Sequence, residues 1–242
     1  MTLDLVLIDG LTATLIITTS IIFGALSLYN AKKLGAKLLY WAAALVAVVG
    51  FFWLGPFIEF LTVVFTAGQL HLPGQVYGWL SYLWVGPGVL IAMYLGGELL
   101  APDKKNIIVI VFGSLGILFE VLMFAFPDGR AEELFFGTFT WDPVGAGELL
   151  MVNTGFNNLA ITFWLVAVFL GSILIFEGIG FALKAKQATG ALRKKFAYLS
   201  IGFTIFVVCG ALDSILDVGV AIGIVRGVMS TFAIWTYLGL KV

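Results

Sequence analysis

Long apolar runs, separated by short polar loops, divide the chain from end to end, and the charge of the loops alternates in sign from one to the next. A membrane-spanning helix needs about 20 apolar residues. On that measure the runs predict helices near 8–31, 38–66, 76–100, 106–126, 152–183, 196–217 and 220–240. The second and fifth exceed one bilayer thickness, so they are expected to tilt or to extend beyond the apolar slab. The expected fold is an all-α membrane protein: a single seven-transmembrane helix bundle over 1–242.

Loop charge sets an expected direction of threading, because short cytoplasmic loops are enriched in Lys and Arg. With seven helices, Lys32, Lys33, Lys37, Lys104, Lys105, Lys184, Lys186, Arg193, Lys194, Lys195 and Lys241 all fall on one side. The opposite loops hold Arg130 among Asp128, Glu132, Glu133, Asp142 and Glu148. Six or eight helices break this alternation. The N-terminus is therefore expected outside and the C-terminus inside, in a multi-pass protein of the cell membrane. Asp4 and Asp9 precede the first apolar run where a signal peptide has a basic segment, so that run reads as a retained helix.

Composition narrows the classes further. Charged residues make up 11% of the chain against about 25% in a typical soluble domain. Hydrophobic residues make up 61%, and the mean hydropathy is +1.10. That much apolar surface needs a lipid bilayer as its partner. A net charge of −1 offers no basic field for nucleic acid. One cysteine, Cys209, allows no disulfide within the chain, and one histidine, His71, leaves no His/Cys zinc set. No cofactor or metal is expected. The phosphate-cradling GxxxxGK[ST] loop, HExxH and GxSxG are all missing, and an enzyme is not expected.

Three local patterns stand out. Trp53-Leu-Gly-Pro56 and Trp84-Val-Gly-Pro87 place matching breaks in the second and third helices. Pro removes a backbone hydrogen bond and kinks a helix, so these breaks either border a site or are simple kinks packed by a large aromatic. Gly219, Gly223 and Gly227 form a small-residue ridge for close helix packing, within the bundle or toward a second copy. The acidic loop over 127–151 carries Phe135, Phe136, Phe139 and Trp141. Either it folds over the outer mouth of the bundle or it lies at the interface on its aromatic anchors.

Ionisable residues inside the apolar runs are costly and tend to face the bundle interior. Glu98 and Glu177 sit near the basic loops and are expected to reach Lys104, Lys105 or Lys184. Glu59, Glu120, Asp213, Asp217 and Arg226 belong to the opposite half. The turn between the last two helices is short, which predicts an Asp213–Arg226 ion pair with Asp217 nearer the water. Glu59 is expected to reach the interface. Glu120 shares a face with Gly113 and Gly116 and is expected to point into a helix contact. Asn153, Asn157 and Asn158 are expected to open the fifth helix, with Thr154 as its cap.

A run of basic and aromatic residues continues through the last two helices. It reads Arg193-Lys-Lys-Phe-Ala-Tyr-Leu-Ser-Ile-Gly202, then Phe203, Cys209-Gly-Ala-Leu-Asp213, Arg226 and Tyr237-Leu-Gly-Leu-Lys241. It resembles the last two helices of the seven-transmembrane sensor regions of prokaryotic histidine kinases and of their stand-alone archaeal relatives. Helix count and direction also resemble microbial rhodopsins. The seventh helix here carries no Lys midway for a retinal Schiff base, which argues against a retinal pigment.

The sensor resemblance implies a ligand-binding or sensing bundle. The basic loops are too short to hold an output module, so the signal is expected to pass to a separate cytoplasmic protein. The first expectation is thus a receptor-like bundle whose outward-facing polar site binds a small ligand or a cation. Trp53, Trp84, Glu120, Asn157, Asp213 and Arg226 would border that site. A cation or small-solute channel or transporter, and a structural subunit of a membrane assembly, remain as alternatives. A homo-oligomer is compatible with each.

Overall fold

The computed structural model describes residues 2–35, 37–129, 135–146, 149–216 and 218–241. Arg130, Glu132, Glu133 and Glu148, on which part of the loop-charge argument rests, lie outside the described residues, as do the side chain of Asp142 and Asp217, expected nearer the water than Asp213.

Among the described residues, seven helices are long and apolar enough to cross a membrane: α1 (Leu5–Leu34), α2 (Lys37–Phe65), α3 (Gly74–Leu100), α4 (Pro102–Ala125), α5 (Ile161–Gln187), α6 (Gly190–Asp213) and α7 (Val220–Leu240). They follow the expected runs closely, with one exception. Residues assigned to the start of the fifth helix form a β-hairpin with the segment before them. Its strands are β1 (Phe139–Ala146) and β2 (Leu149–Phe156), paired antiparallel with Phe139 opposite Phe156 and Trp141 opposite Thr154. Helix α5 begins only at Ile161, so Asn153 lies on a strand, Thr154 caps no helix, and Asn157 and Asn158 lie in the connection. The apolar stretch Leu149–Val152 runs on toward the helix without a charge, which hid the boundary. The usable signal was two β-branched and aromatic runs around Gly145-Ala146-Gly147.

The helices pack as a ring. Helix α1 packs on α2 and α7, α2 on α3, α3 on α5, α5 on α6, and α6 on α7. Helix α4 stands outside the ring against α3 and α5. Its apolar side chains are largely exposed, Ile107, Ile110 and Ile117 among them, as lipid contact requires. One end of the bundle carries the hairpin, laid across α1, α2 and α3. The other end carries the lysine-rich loops. These are called here the hairpin end and the lysine end.

Both expected breaks are present, each ahead of its proline. Helix α2 tightens over Phe51–Trp53 before Pro56. Helix α3 is interrupted at Leu83–Trp84, before Pro87. They lie at one depth, since the Phe51 and Trp84 rings meet at 4.7 Å. Beyond the breaks α2 and α3 approach closely: a Cβ on Gly55 would strike Ser81 Oγ and the Tyr77 carbonyl. On the small-residue ridge, Gly223 packs on Ile8 of α1, while Gly227 has open space beside it.

Candidate functional site

Arg226 organises the hairpin end of the ring. It is 4% exposed. Its Nε donates to Asp213 Oδ1 at 2.7 Å, the pairing expected from the short α6–α7 turn. Its Nη1 donates to Asp9 Oδ1 at 2.5 Å and to the Asp9 carbonyl at 3.5 Å. Asp9 is buried too, on α1. The cluster carries two acids for one base. Asp9 was read as a charge ahead of the first apolar run; the structure buries it inside α1, and only tertiary closure of α1 onto α7 shows its partner.

A cavity of about 290 Å³ lies inside the ring next to this cluster. That is at the small end of the range for ligand sites, about 300–1,000 Å³. Helices α2, α3, α5, α6 and α7 and the hairpin wall it. Its two ends differ in chemistry. Asp213, Arg226, Asn153, Thr154, Tyr77 and Tyr82 supply the polar end, while Leu45, Val89, Ala92, Phe169, Ile173 and Phe206 supply the apolar one. Exposed Ser214, Ile215 and Leu216 also line it, so the mouth lies beside the α6–α7 turn. At the floor aromatic rings pack together: Phe203 contacts Phe181 at 5.9 Å and Phe232 at 5.6 Å, and Phe206 contacts Phe232 at 5.3 Å.

The hairpin roofs the cavity, and Glu59 clasps it. This carboxylate is fully buried, where the sequence placed it at the interface. Oε1 meets His71 Nδ1 at 2.9 Å and accepts from the Val152 amide at 3.0 Å. Oε2 accepts from the Leu72 amide at 2.7 Å. One side chain thus holds the α2–α3 loop and strand β2 together. Buried Phe139 anchors the roof, 5.5 Å from Tyr82 and 5.8 Å from Phe156. Thr154 Oγ1 donates to the Gly74 carbonyl at 3.1 Å, and Tyr77 reaches Asn153 at 3.5 Å. Of the four aromatics singled out in this loop, Phe139 and Trp141 pack inward, while Phe135 and Phe136 stay exposed.

The expected site residues divide into two groups. Trp53, Asp213 and Arg226 line the cavity. Glu120, Trp84 and Asn157 do not. Glu120 Oε1 accepts from the Gly86 amide at 3.2 Å. Gly86 opens the second half of the broken α3, where the first amides have no acceptor within the helix, so Glu120 caps that half from α4. Helices α3 and α4 meet there at Gly86 and Gly116, matching the expected helix contact. Asn157 is buried at the foot of the hairpin, donating to the Gly137 carbonyl at 3.1 Å. Trp84 packs on Phe51.

At the lysine end, Lys105 Nζ donates to Glu98 Oε2 at 2.7 Å, one of the pairings expected. Glu177 has no such partner. Among the described residues no group of three or more His, Cys, Asp or Glu is placed to hold a metal ion. Compared with protein-family models, curated proteins and solved structures, the chain matches none.

Proposed function

We propose that this chain is a receptor-like bundle of the cell membrane. In this reading its hairpin end faces outward, and the cavity binds a small amphiphilic ligand entering beside the α6–α7 turn. The cavity itself carries the proposal: it is polar at the mouth, apolar at the floor and roofed by a clasped hairpin. The head group that suits it is neutral or cationic, because the Arg226 charge at the polar end is already held by two acids, Asp213 on the cavity wall and Asp9 behind it. The lysine-rich end faces the cytoplasm by the distribution of Lys and Arg. Its loops are the natural contact for a separate output protein. A ligand wedged between α2, α3 and α6 acts by shifting helix packing at the Pro56 and Pro87 breaks. The packed rings of Phe181, Phe203 and Phe232 favour binding over conduction, because a conducting path toward the lysine end would have to pass large apolar side chains.

The test is the melting temperature of the purified protein with amphiphiles of one chain length bearing an amine, an alcohol or a carboxylate. Ligand at a hundredfold excess over its dissociation constant stabilises by about 2.7 kcal/mol. The amine and alcohol are expected to raise the melting temperature in wild type, and Asp213→Asn is expected to remove the amine's advantage. Stabilisation by the carboxylate alone, or by none, overturns the reading. A cation flux through liposomes that Asp213→Asn abolishes would favour a channel instead.

A further inference from the structure

Glu177 is a buried carboxyl that the cavity does not use. It is 0% exposed, and neither carboxyl oxygen has a hydrogen-bond partner. It lies where α5 widens over Leu174–Ile179 into a turn bonded five residues apart, with the Gly180 amide donating to the Ile175 carbonyl. Such wide turns are rare and occur frequently at functional sites. Glycines make the room. A Cβ on Gly96 of α3 would sit 2.6 Å from Glu177 Oε1, and a Cβ on Gly180 would strike Leu100. On the other side Ser200 of α6 donates to the Gly178 carbonyl at 2.7 Å, which fixes the turn without reaching the carboxyl.

The wide turn packs on α3 and α6, and no charge on either compensates Glu177. On α3, Glu98 is already paired with Lys105. Lys105, one of the partners the sequence offered, is held by Glu98 and over the Tyr94 ring at 5.3 Å. On α6, Ser200 and Thr204 face the turn, and the bases Arg193, Lys194 and Lys195 belong to the helix start. Lys184 of α5 itself lies seven residues on, about 10 Å along the axis. An ionised carboxylate buried without a counter-charge neutralises instead. The tight fit against Gly96 leaves no space for a hydrated cation, whereas a proton needs none.

We propose that Glu177 is a proton-binding site in the lysine-end half of the bundle, and that losing the proton opens the α3–α5 seam. The carboxylate oxygen takes one proton from hydronium at the lysine end to form an O–H bond and leave a water molecule, and no electrons are exchanged. Once ionised, the group must leave its apolar seat toward water and the lysines. The wide turn and the side-chain-free Gly178 and Gly180 give α5 the slack to do so. This inference is independent of what fills the cavity.

The experiment is infrared spectroscopy of the reconstituted protein across pH, comparing wild type with Glu177→Gln and Glu120→Gln. A carbonyl stretch of an un-ionised carboxyl is expected at neutral pH, lost in Glu177→Gln and kept in Glu120→Gln. The absence of such a band from wild type, or a Glu177→Gln spectrum that keeps every component of the wild-type band, overturns the proposal. Hydrogen exchange gives a second readout of the seam: at high pH the amides of α3 and α5 around Gly96 and Gly178 are expected to exchange faster in wild type than in Glu177→Gln, and equal exchange in the two across pH overturns the proposal. If Glu177→Gln does not fold, Gly96→Ala serves: its methyl presses on Oε1 and shifts the same band, and an unmoved band overturns the proposal.

Discussion

Arg226 and Asp9 meet at 2.5 Å although 217 positions separate them in the chain, and this contact locks α7 to α1 at the hairpin end of the ring. Asp213 adds the tie to α6. Removing the guanidinium leaves two acids facing each other without a counter-charge, one of them buried. Breaking a buried pair on one side costs about 3–5 kcal/mol. Arg226→Leu is expected to destabilise by about that amount in thermal unfolding. Asp213→Asn is expected to cost less, since Asp9 still holds the arginine. Equal losses in the two variants would show that the Asp9 contact contributes nothing.

The Arg226 cluster shows how far the sequence carries. Asp213–Arg226 was legible because a short turn forces neighbouring helix ends to one depth. Asp9 was not, because no local rule relates α1 to α7; only closure of the ring does. The helices themselves were legible because each apolar run must satisfy its own backbone in lipid. The hairpin was hidden because Leu149–Val152 is as apolar as the helix that follows. Glu59 was misplaced for a related reason. Helical depth set it near the interface, while the hairpin that buries it lies almost a hundred residues downstream.

Glu59 gives the second prediction. Glu59→Ala orphans the amides of Leu72 and Val152 and frees His71. Leaving a buried donor without its acceptor costs about 1–3 kcal/mol. Hydrogen exchange is expected to accelerate at Leu72 and along β2 while the lysine-end halves of α3 and α6 stay protected. Uniform acceleration throughout the bundle would mean that Glu59 supports the whole fold and not the hairpin clasp alone.

Glu120 gives the third. As the cap of the second half of α3 it needs only an acceptor oxygen, which an amide retains. Glu120→Gln is expected to stay within about 1 kcal/mol of wild type, and Glu120→Leu to lose about 1–2 kcal/mol, the usual cost of a lost cap. Thermal melts of both variants decide it. A Gln variant as damaged as the Leu variant would mean that the carboxylate's charge matters beyond capping.

The last prediction concerns the cavity floor. Ala92 is buried and lines the cavity from α3, so a larger side chain at this position reaches toward the cavity. Ala92→Phe projects a ring into that space. Overpacking a filled core costs about 1–3 kcal/mol, but here the added atoms meet a void walled by Phe169, Ile173 and Phe206. The variant is expected to melt at or above the wild-type temperature and to lose the stabilisation that amphiphiles give wild type. Asp213→Asn acts on the polar mouth and removes only the preference for a cationic head. The two variants therefore separate the contributions of floor and mouth to binding. If Ala92→Phe kept the full ligand response, the ligand would lie outside this cavity, and the search would move to the lipid-facing surface of α4.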